Sequence, residues 1–152
     1  MKALYAGSFD PFTIGHLEIA RTALSMFGSL VIGIGYNENK REEWPAELRL
    51  KIIKEVFKEI PEVEVMTYKG LTVDFAAKIG ARVLVRGVRN GTEFDKEKEL
   101  ADINFELSGL KTIFLPSSPE LSFISSSMVR ELIHNGHDVG KYIVGDFPLK
   151  IN

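Results

Sequence analysis

The sequence has no cysteine at any of its 152 positions. This absence excludes disulfide bonds, thiolate nucleophiles and metal sites built on cysteine. No stretch comes near the roughly 18 consecutive apolar residues of a membrane span, and the short apolar run at residues 1–5 is too brief for a signal peptide. From these absences we expect a cytoplasmic protein that does not enter a membrane.

The sequence also lacks a strong excess of either charge, with 19 basic against 21 acidic side chains and a net charge of −2. Nucleic-acid binding is therefore not indicated, and an anionic ligand would have to be held by cations placed locally. Hydrophobic residues make up 45% of the chain and charged residues 26%, as in ordinary globular proteins. At this length we expect a single domain over residues 1–152.

Short apolar runs alternate with amphipathic helical patterns along the chain. The runs predict strands at residues 2–6, 30–36, 63–68, 82–86 and 111–115. The periodic segments predict helices at residues 14–27, 45–59, 73–79 with Thr72 as the N-cap, 92–107 and 125–134. This order predicts an α/β fold, a Rossmann-like doubly wound five-stranded parallel sheet. In such sheets ligands bind beyond the carboxyl ends of the strands.

The loop after the first predicted strand, residues 7–16, carries unusual residues. It has neither P-loop nor GxGxxG spacing, but it supplies backbone amides at a helix start, where anions are favoured. His16 falls in the first helical turn and can donate a hydrogen bond to a phosphate oxygen. Taken singly, Ser8 or Thr13 could be a plain helix cap and His16 a surface residue; as one block, the loop favours an anion site.

Two later loops also carry groups suited to phosphate. Residues 86–89 place Arg86 and Arg89 after a buried strand, and planar guanidiniums match phosphate oxygens; a pair of solvated surface cations accounts for them equally well. Three serines at 125–127 crowd the first turn of a helix, where free amides and hydroxyls form an anion site. A single serine acting as cap explains part of that pattern. Lys40, in a polar loop, is by itself typical of a solvated loop.

Thr13-Ile14-Gly15-His16 resembles the T/HxGH signature of the nucleotidyltransferase superfamily. Within that superfamily the chain resembles the bacterial phosphopantetheine adenylyltransferases, up to about Tyr142. The other motifs that carry the resemblance are Asn39-Lys40-Arg41, Val85-Arg86-Gly87-Val88-Arg89 and Ser122-Phe123-Ile124-Ser125-Ser126-Ser127. The resemblance implies transfer of the adenylyl group of ATP to 4′-phosphopantetheine, which gives dephospho-coenzyme A and pyrophosphate.

The resemblance also implies roles for individual residues. His16 would stabilise the transition state of an in-line displacement at the α-phosphate, assisted by Lys40 and Arg89. The residues implied on the phosphopantetheine side are Ser8, Lys40, Thr72 and Arg86. Those implied on the ATP side are Ser8, Phe9, His16, Gly87, Val88, Arg89, Glu97, Leu121, Ser122, Phe123, Ile124, Ser125, Ser126 and Ser127.

No group of histidines and carboxylates has transition-metal spacing, so we expect no protein-held metal and Mg²⁺ arriving with ATP. The resemblance further implies a homo-oligomer, a hexamer in relatives. The chain departs from the family pattern at Leu121, where an aromatic residue is frequent, and at Asp95 and Lys96. Two alternatives stay open: a different adenylyl- or cytidylyltransferase of the same fold, or a non-catalytic sensor of a nucleotide or coenzyme A.

Overall fold

The computed structural model describes residues 1–149. Within them, the strands are β1 Lys2–Gly7, β2 Ser29–Gly35, β3 Val63–Tyr68, β4 Val83–Val88 and β5 Thr112–Pro116. The α-helices are α1 Ile14–Phe27, α2 Ala46–Val56, α3 Thr72–Ile79, α4 Gly91–Ser108 and α5 Ser126–His134, and a 3-10 turn covers Pro119–Leu121. No helix of this part of the chain is both long enough and apolar enough to cross a membrane.

The five strands form one parallel sheet in the order β3-β2-β1-β4-β5. The chain starts at the centre, adds β2 and β3 on one side, and then crosses over to add β4 and β5 on the other. The prediction of a doubly wound α/β fold is therefore confirmed. The strand order reverses between β1 and β4, and the carboxyl ends of these two strands are where such a sheet binds its ligand.

The central strands are apolar along most of their length because helices cover both faces of the sheet. Leu4, Leu30 and Ile32 have no exposed surface. Two aromatic residues of the loop between β1 and α1, Phe9 and Phe12, are also buried in this core. The packing of these two side chains thus fixes the loop at the switch point.

The predicted N-cap at Thr72 is wrong. Helix α3 begins at Thr72 itself, and Leu71 stands at the N-cap position without a side-chain hydrogen bond. The Thr72 hydroxyl lies 2.9 Å from the hydroxyl of Tyr68 at the end of β3, and the Tyr68 ring stacks on Phe75 at 4.5 Å. The hydroxyl predicted to cap the helix therefore bonds to a side chain four residues earlier in the chain.

Other predicted helix ends shift by a few residues. Helix α2 ends at Val56 rather than at 59, and α4 begins at Gly91 rather than at Thr92. In α4 the cap is Asn90, whose side chain accepts a hydrogen bond from the Glu93 amide at 2.9 Å. Asparagine is among the best capping residues, so this boundary was readable from the sequence.

The segment after α5 runs back beneath the loop between β1 and α1. The Ile14 amide donates to the Tyr142 carbonyl at 3.0 Å, and the Val144 amide donates to the Phe12 carbonyl at 2.9 Å. Ile143 forms an isolated bridge with Thr13. These backbone contacts hold the start of α1 in place.

Candidate active site

A cavity of about 320 Å³ opens at the carboxyl ends of β1 and β4. It lies at the switch point, where the topology places ligands. It gathers eleven of the residues predicted for the site from four separate stretches of the chain. These are Ser8, Phe9, His16, Arg86, Gly87, Arg89, Glu97, Ile124, Ser125, Ser126 and Ser127.

Six other predicted residues lie outside the lining of this cavity. Lys40 is exposed on the loop between β2 and α2. Phe123 is 58% exposed. Val88 lies between two lining residues, Gly87 and Arg89, and Leu121 and Ser122 lie shortly before Ile124, but none of the three lines the cavity. Thr72 lines a second, smaller cavity.

The second cavity, of about 30 Å³, lies between the sheet and the helices α3 and α4. Its lining mixes apolar and polar side chains and consists of Ala6, Thr72, Leu84, Arg86, Glu97, Leu100, Ala101, Asn104 and Thr112. Three of these, Ala6, Arg86 and Glu97, also line the large cavity. The two cavities therefore meet at the Arg86–Glu97 pair.

His16 is the third residue of α1 and forms a reciprocal capping box with Thr13. Its Nδ1 accepts a hydrogen bond from the Thr13 amide at 2.9 Å. The ring stacks on Phe12 at 5.5 Å between centroids and meets the edge of Phe9 at 5.0 Å. Because Nδ1 is an acceptor, the proton of the neutral ring resides on Nε2, which makes His16 a hydrogen-bond donor at the cavity.

Burial above all, together with the positive charges of Arg86 and Arg89, lowers the pKa of His16 to about 3. An apolar environment disfavours the imidazolium, and so does a nearby cation. In the unliganded protein His16 is thus neutral at physiological pH. It can donate from Nε2, but it is a very weak proton acceptor.

We expect the His16 ring to keep its neutral Nε2–H form down to about pH 5, well below the usual histidine pKa of about 6.5. The folded pKa lies below the unfolded value, so the unfolded chain binds the proton first. The free energy of unfolding should then fall as pH drops from about 6.5 toward 3, by at most about 1.4 kcal/mol per pH unit from this group. Nitrogen NMR titration of the ring checks the first point, and a midpoint near 6.5 would refute it. Comparing unfolding against pH with His16→Gln checks the second.

Arg86 is held at the junction of the cavities by two hydrogen bonds to Glu97. Its Nε and Nη2 lie 2.8 and 2.7 Å from the two carboxylate oxygens, and its Nη1 donates to the Ala6 carbonyl. Burial disfavours the charged form, but the hydrogen bonds and charge of Glu97 outweigh it and raise the pKa of Arg86. The site therefore contains a permanent cation with fixed orientation.

Arg89 is held in a similar way by Glu93, one helical turn further along the chain. The Glu93 carboxylate accepts from the Arg89 amide at 3.1 Å and pairs with the guanidinium of the same residue. Both guanidiniums are about one-third exposed at the cavity. They are not the freely solvated pair that the sequence left open, because carboxylates from α4 orient each of them.

The serine cluster at the start of α5 caps the helix and ties it to the loop after β1. Ser125 is the cap and accepts from the Met128 amide at 3.1 Å. Ser126 donates to the Pro11 carbonyl at 2.8 Å and so ties α5 to the loop after β1. The first amides of a helix have no partner within it, and here that helix end lines the cavity.

Gly87, implied on the ATP side by the resemblance, has a packing role as well. A Cβ atom at this position would lie 2.9 Å from Cγ1 of Ile19, closer than real side chains approach. Any larger residue would therefore displace α1, and with it His16 at the start of that helix.

Sequence analysis missed several residues of the cavity, above all Arg130 and Tyr5. Arg130 adds a third guanidinium and donates to the Asp10 carbonyl at 2.6 Å. It follows Ser126 by four positions, so helical spacing could have placed it on the same face. Nothing in the local sequence indicates that Tyr5 is a site residue, because it lies in an ordinary apolar strand. It lines the cavity beside Phe9 of the loop after β1.

Within residues 1–149, no group of three or more histidines and carboxylates is arranged to hold a metal ion. The two carboxylates of the large cavity, Glu93 and Glu97, are both engaged by guanidiniums. The described side chains thus do not offer a ready metal cage.

Comparison with known proteins agrees with this geometry. The cytidylyltransferase-like family matches residues 4–132. The chain is 48% identical to the phosphopantetheine adenylyltransferase of Porphyromonas gingivalis over 147 residues, which covers 97% of this chain and 96% of the relative. It is 47% identical to that of Leuconostoc citreum over 155 residues, covering 99% and 98%.

Among solved structures, a bifunctional NMN adenylyltransferase/ADP ribose pyrophosphatase from Francisella tularensis has a TM-score of 0.72 with 16% identity. The match covers 97% of this chain and 46% of that one, and at this identity it bears on the fold alone. The sequence relatives carry the assignment, and they confirm the resemblance drawn from the motifs. The chain belongs to the phosphopantetheine adenylyltransferase family, within the cytidylyltransferase-like proteins.

Proposed function

We propose that this protein transfers the adenylyl group of ATP to 4′-phosphopantetheine, producing dephospho-coenzyme A and pyrophosphate. The observation that carries the proposal is the meeting of two unlike cavities at Arg86. The large one has the donors for a triphosphate. The small one, at about 30 Å³, has room for only about one water, so it marks the side of Arg86 from which the pantetheine arm would approach and does not enclose that arm. The acceptor phosphate would then sit at the junction, facing the α-phosphate. ATP is a cytoplasmic reactant, which favours a cytoplasmic location.

The chemistry requires alignment more than acid–base catalysis. An oxygen of the acceptor phosphate, already anionic at neutral pH, attacks the α-phosphorus. The bond from that phosphorus to the oxygen bridging to the β-phosphate breaks, and pyrophosphate leaves with the electron pair. No proton must be removed, so a neutral His16 fits: its Nε2–H would stabilise charge on the α-phosphoryl group.

The other predicted residues divide between the two reactants. Arg86 and Ser8 would position the acceptor phosphate, with Thr72 beside the pantetheine arm. Arg89 and the start of α5 would hold the β- and γ-phosphates. Lys40 would reach the reacting phosphates from its exposed loop as a point charge. Contacts to the nucleotide are proposed for Phe9, Gly87, Val88, Glu97, Leu121, Ser122, Phe123 and Ile124.

Mg²⁺ is proposed as part of the ATP substrate. Magnesium keeps several waters and binds readily to phosphates, whereas both carboxylates of the large cavity are paired with arginines. The cation would therefore enter and leave with the nucleotide and its pyrophosphate product.

A pyrophosphate-release assay with matched reactants tests the proposed reaction. We expect turnover with ATP and 4′-phosphopantetheine, and much less with nicotinamide mononucleotide as acceptor or with CTP as donor. Preferred turnover with another pair would assign the chain to a different transferase of this fold. ATP binding without turnover on any acceptor would support a sensor instead.

We also propose that the protein assembles with copies of itself, as a hexamer by family resemblance. Helix α4 has 18 residues and none is buried. Leu100, Ile103 and Leu107 form a stripe at helical spacing and are 47%, 55% and 60% exposed. A helix with such a stripe normally packs against another element, and a second copy of α4 would bury it.

Replacing Ile103 by lysine should lower the molecular mass measured by light scattering, because a charge would enter the proposed contact. The matched control is Met26→Lys on α1, which is also 55% exposed and should leave the mass unchanged. An unchanged mass for Ile103→Lys would mean that this stripe does not hold the subunits together.

A further inference from the structure

Arg49 of α2 is a fully buried cation outside the residues assigned above to the reaction. Its Nε donates to the Trp44 carbonyl at 2.9 Å, its Nη1 to the Ser8 carbonyl, and its Nη2 to the Glu42 carboxylate. Asp10, also buried, lies 3.9 Å away through Oδ1. Burying a charge lowers the stability of the fold by several kcal/mol unless the charge is well paired. Here each of the three guanidinium nitrogens has a hydrogen-bond partner.

The partners of Arg49 belong to two different loops. Ser8 and Asp10 lie in the loop after β1, whereas Glu42 and Trp44 lie in the loop between β2 and α2, which carries Lys40. The Asp10 carboxylate reinforces the link, since it accepts from the amides of Glu43 at 2.8 Å and Trp44 at 3.0 Å. Residues 42–44 are thus fastened to the first loop by side chains buried between the two.

The neighbouring residues 37–41 are held much less firmly. The Lys40 amide donates to the Asn37 carbonyl at 3.0 Å, and the Asn39 amide donates to the Asn37 side chain at 2.9 Å. Glu38 adds an exposed ion pair to Lys69 at 3.3 Å. Lys40 therefore projects from an exposed turn whose fixed end is the Arg49 network.

We propose that Arg49 and Asp10 act as a clamp that sets where Lys40 stands relative to Ser8 and the cavity. Arg49 is a positioning residue in this proposal and touches no substrate. Its planar fork reaches three acceptors at once, which the single ammonium of lysine cannot do. Well-packed apolar residues in place of a buried ion pair often give a protein equal or greater stability. Stability alone therefore does not explain this network, and placement of the loop explains it better. The catalytic consequence rests on the proposed adenylyl transfer.

Limited digestion with trypsin tests the clamp without any substrate, because trypsin cleaves after Lys40 and Arg41. We expect Asp10→Asn to raise the initial rate of cleavage at these bonds by about tenfold, and Arg49→Lys to raise it further. Neither substitution changes a residue next to the cleaved bonds. The control is Ile53→Val, a buried position on the same helix that weakens packing without touching the loop contacts. Ile53→Val should leave cleavage at Lys40 and Arg41 near the wild-type rate.

Turnover kinetics supply a second readout that a purely structural role would not move. If the clamp acts through Lys40, the kcat losses of Glu42→Gln and Lys40→Ala should overlap when combined. The double variant should then be about fivefold or more active than the product of the single effects predicts. The kcat losses of Ile53→Val and Lys40→Ala should instead multiply when the two substitutions are combined.

The proposal would be overturned if trypsin cleaved the Arg49 and Asp10 variants no faster than the Ile53→Val control. It would also be overturned if the kcat losses of Glu42→Gln and Lys40→Ala simply multiplied in the double variant. Failure of the proposed reaction is distinguishable from failure of the clamp. A protein that transfers no adenylyl group would still show faster cleavage in Arg49→Lys if the loops are linked as described.

Discussion

Replacing His16 by alanine is expected to lower kcat for adenylyl transfer by about 100- to 1000-fold. The ring lines the large cavity and its Nδ1 is occupied by the Thr13 amide, so Nε2–H is the group available to the α-phosphoryl oxygen. The loss should appear in kcat more than in ATP affinity, since the interaction strengthens as charge develops in the transition state. Steady-state pyrophosphate release and calorimetric ATP binding measure the two quantities.

His16→Gln is the matched control for this prediction. Glutamine offers a neutral N–H near the position of Nε2 but cannot act as a base. It should recover part of the activity that alanine loses. Near-normal turnover of His16→Ala would remove His16 from the mechanism, and a glutamine variant as inactive as alanine would argue against a simple donor role.

Replacing Arg86 by methionine is expected to lower kcat/KM for 4′-phosphopantetheine by about 100- to 1000-fold, the usual result of removing one partner of a desolvated charged contact. Arg86 stands where the two cavities meet and is oriented by both oxygens of Glu97. Arg86→Lys should recover little, because lysine cannot reproduce the planar two-point contact. The measurement is initial rate against acceptor concentration at saturating ATP.

Loss of Arg86 also leaves the Glu97 carboxylate without its partner, which by itself destabilises the fold. The double variant Arg86→Met with Glu97→Met removes both charges and separates the two effects. It should regain thermal stability relative to Arg86→Met while remaining poorly active. Recovery of activity together with stability would mean that Arg86 serves the fold and not the acceptor.

The fold was predictable because its signals are local and repeated. Apolar runs bounded by glycine marked β1 and β2, and the 14–27 prediction matches α1 as observed. The predicted cap at Thr72 was wrong because the hydroxyl bonds to the hydroxyl of Tyr68, whereas the capping pattern considers only the helix amides that follow the cap. Helix ends depend on such competition more than helix interiors do.

The site was only partly predictable, since its specificity depends on pairings between distant segments. The guanidiniums of Arg86 and Arg89 could be placed at the sheet edge by pattern, but not their carboxylates on α4. The low pKa of His16 is also a tertiary property, caused by burial and by the two arginines. Likewise, Arg49 gave no sign in the sequence of being more than a helical surface cation.

In the proposed reaction the neutral His16 imidazole donates to the α-phosphoryl group while it passes from pyrophosphate to the acceptor phosphate. A crystal structure with 4′-phosphopantetheine and a non-hydrolysable ATP analogue measures this directly. The account predicts His16 Nε2 within about 2.7–3.2 Å of a non-bridging oxygen of the α-phosphate, with the acceptor phosphate beside Arg86. An Nε2 atom more than about 5 Å from every α-phosphate oxygen, beyond any direct hydrogen bond, would contradict it.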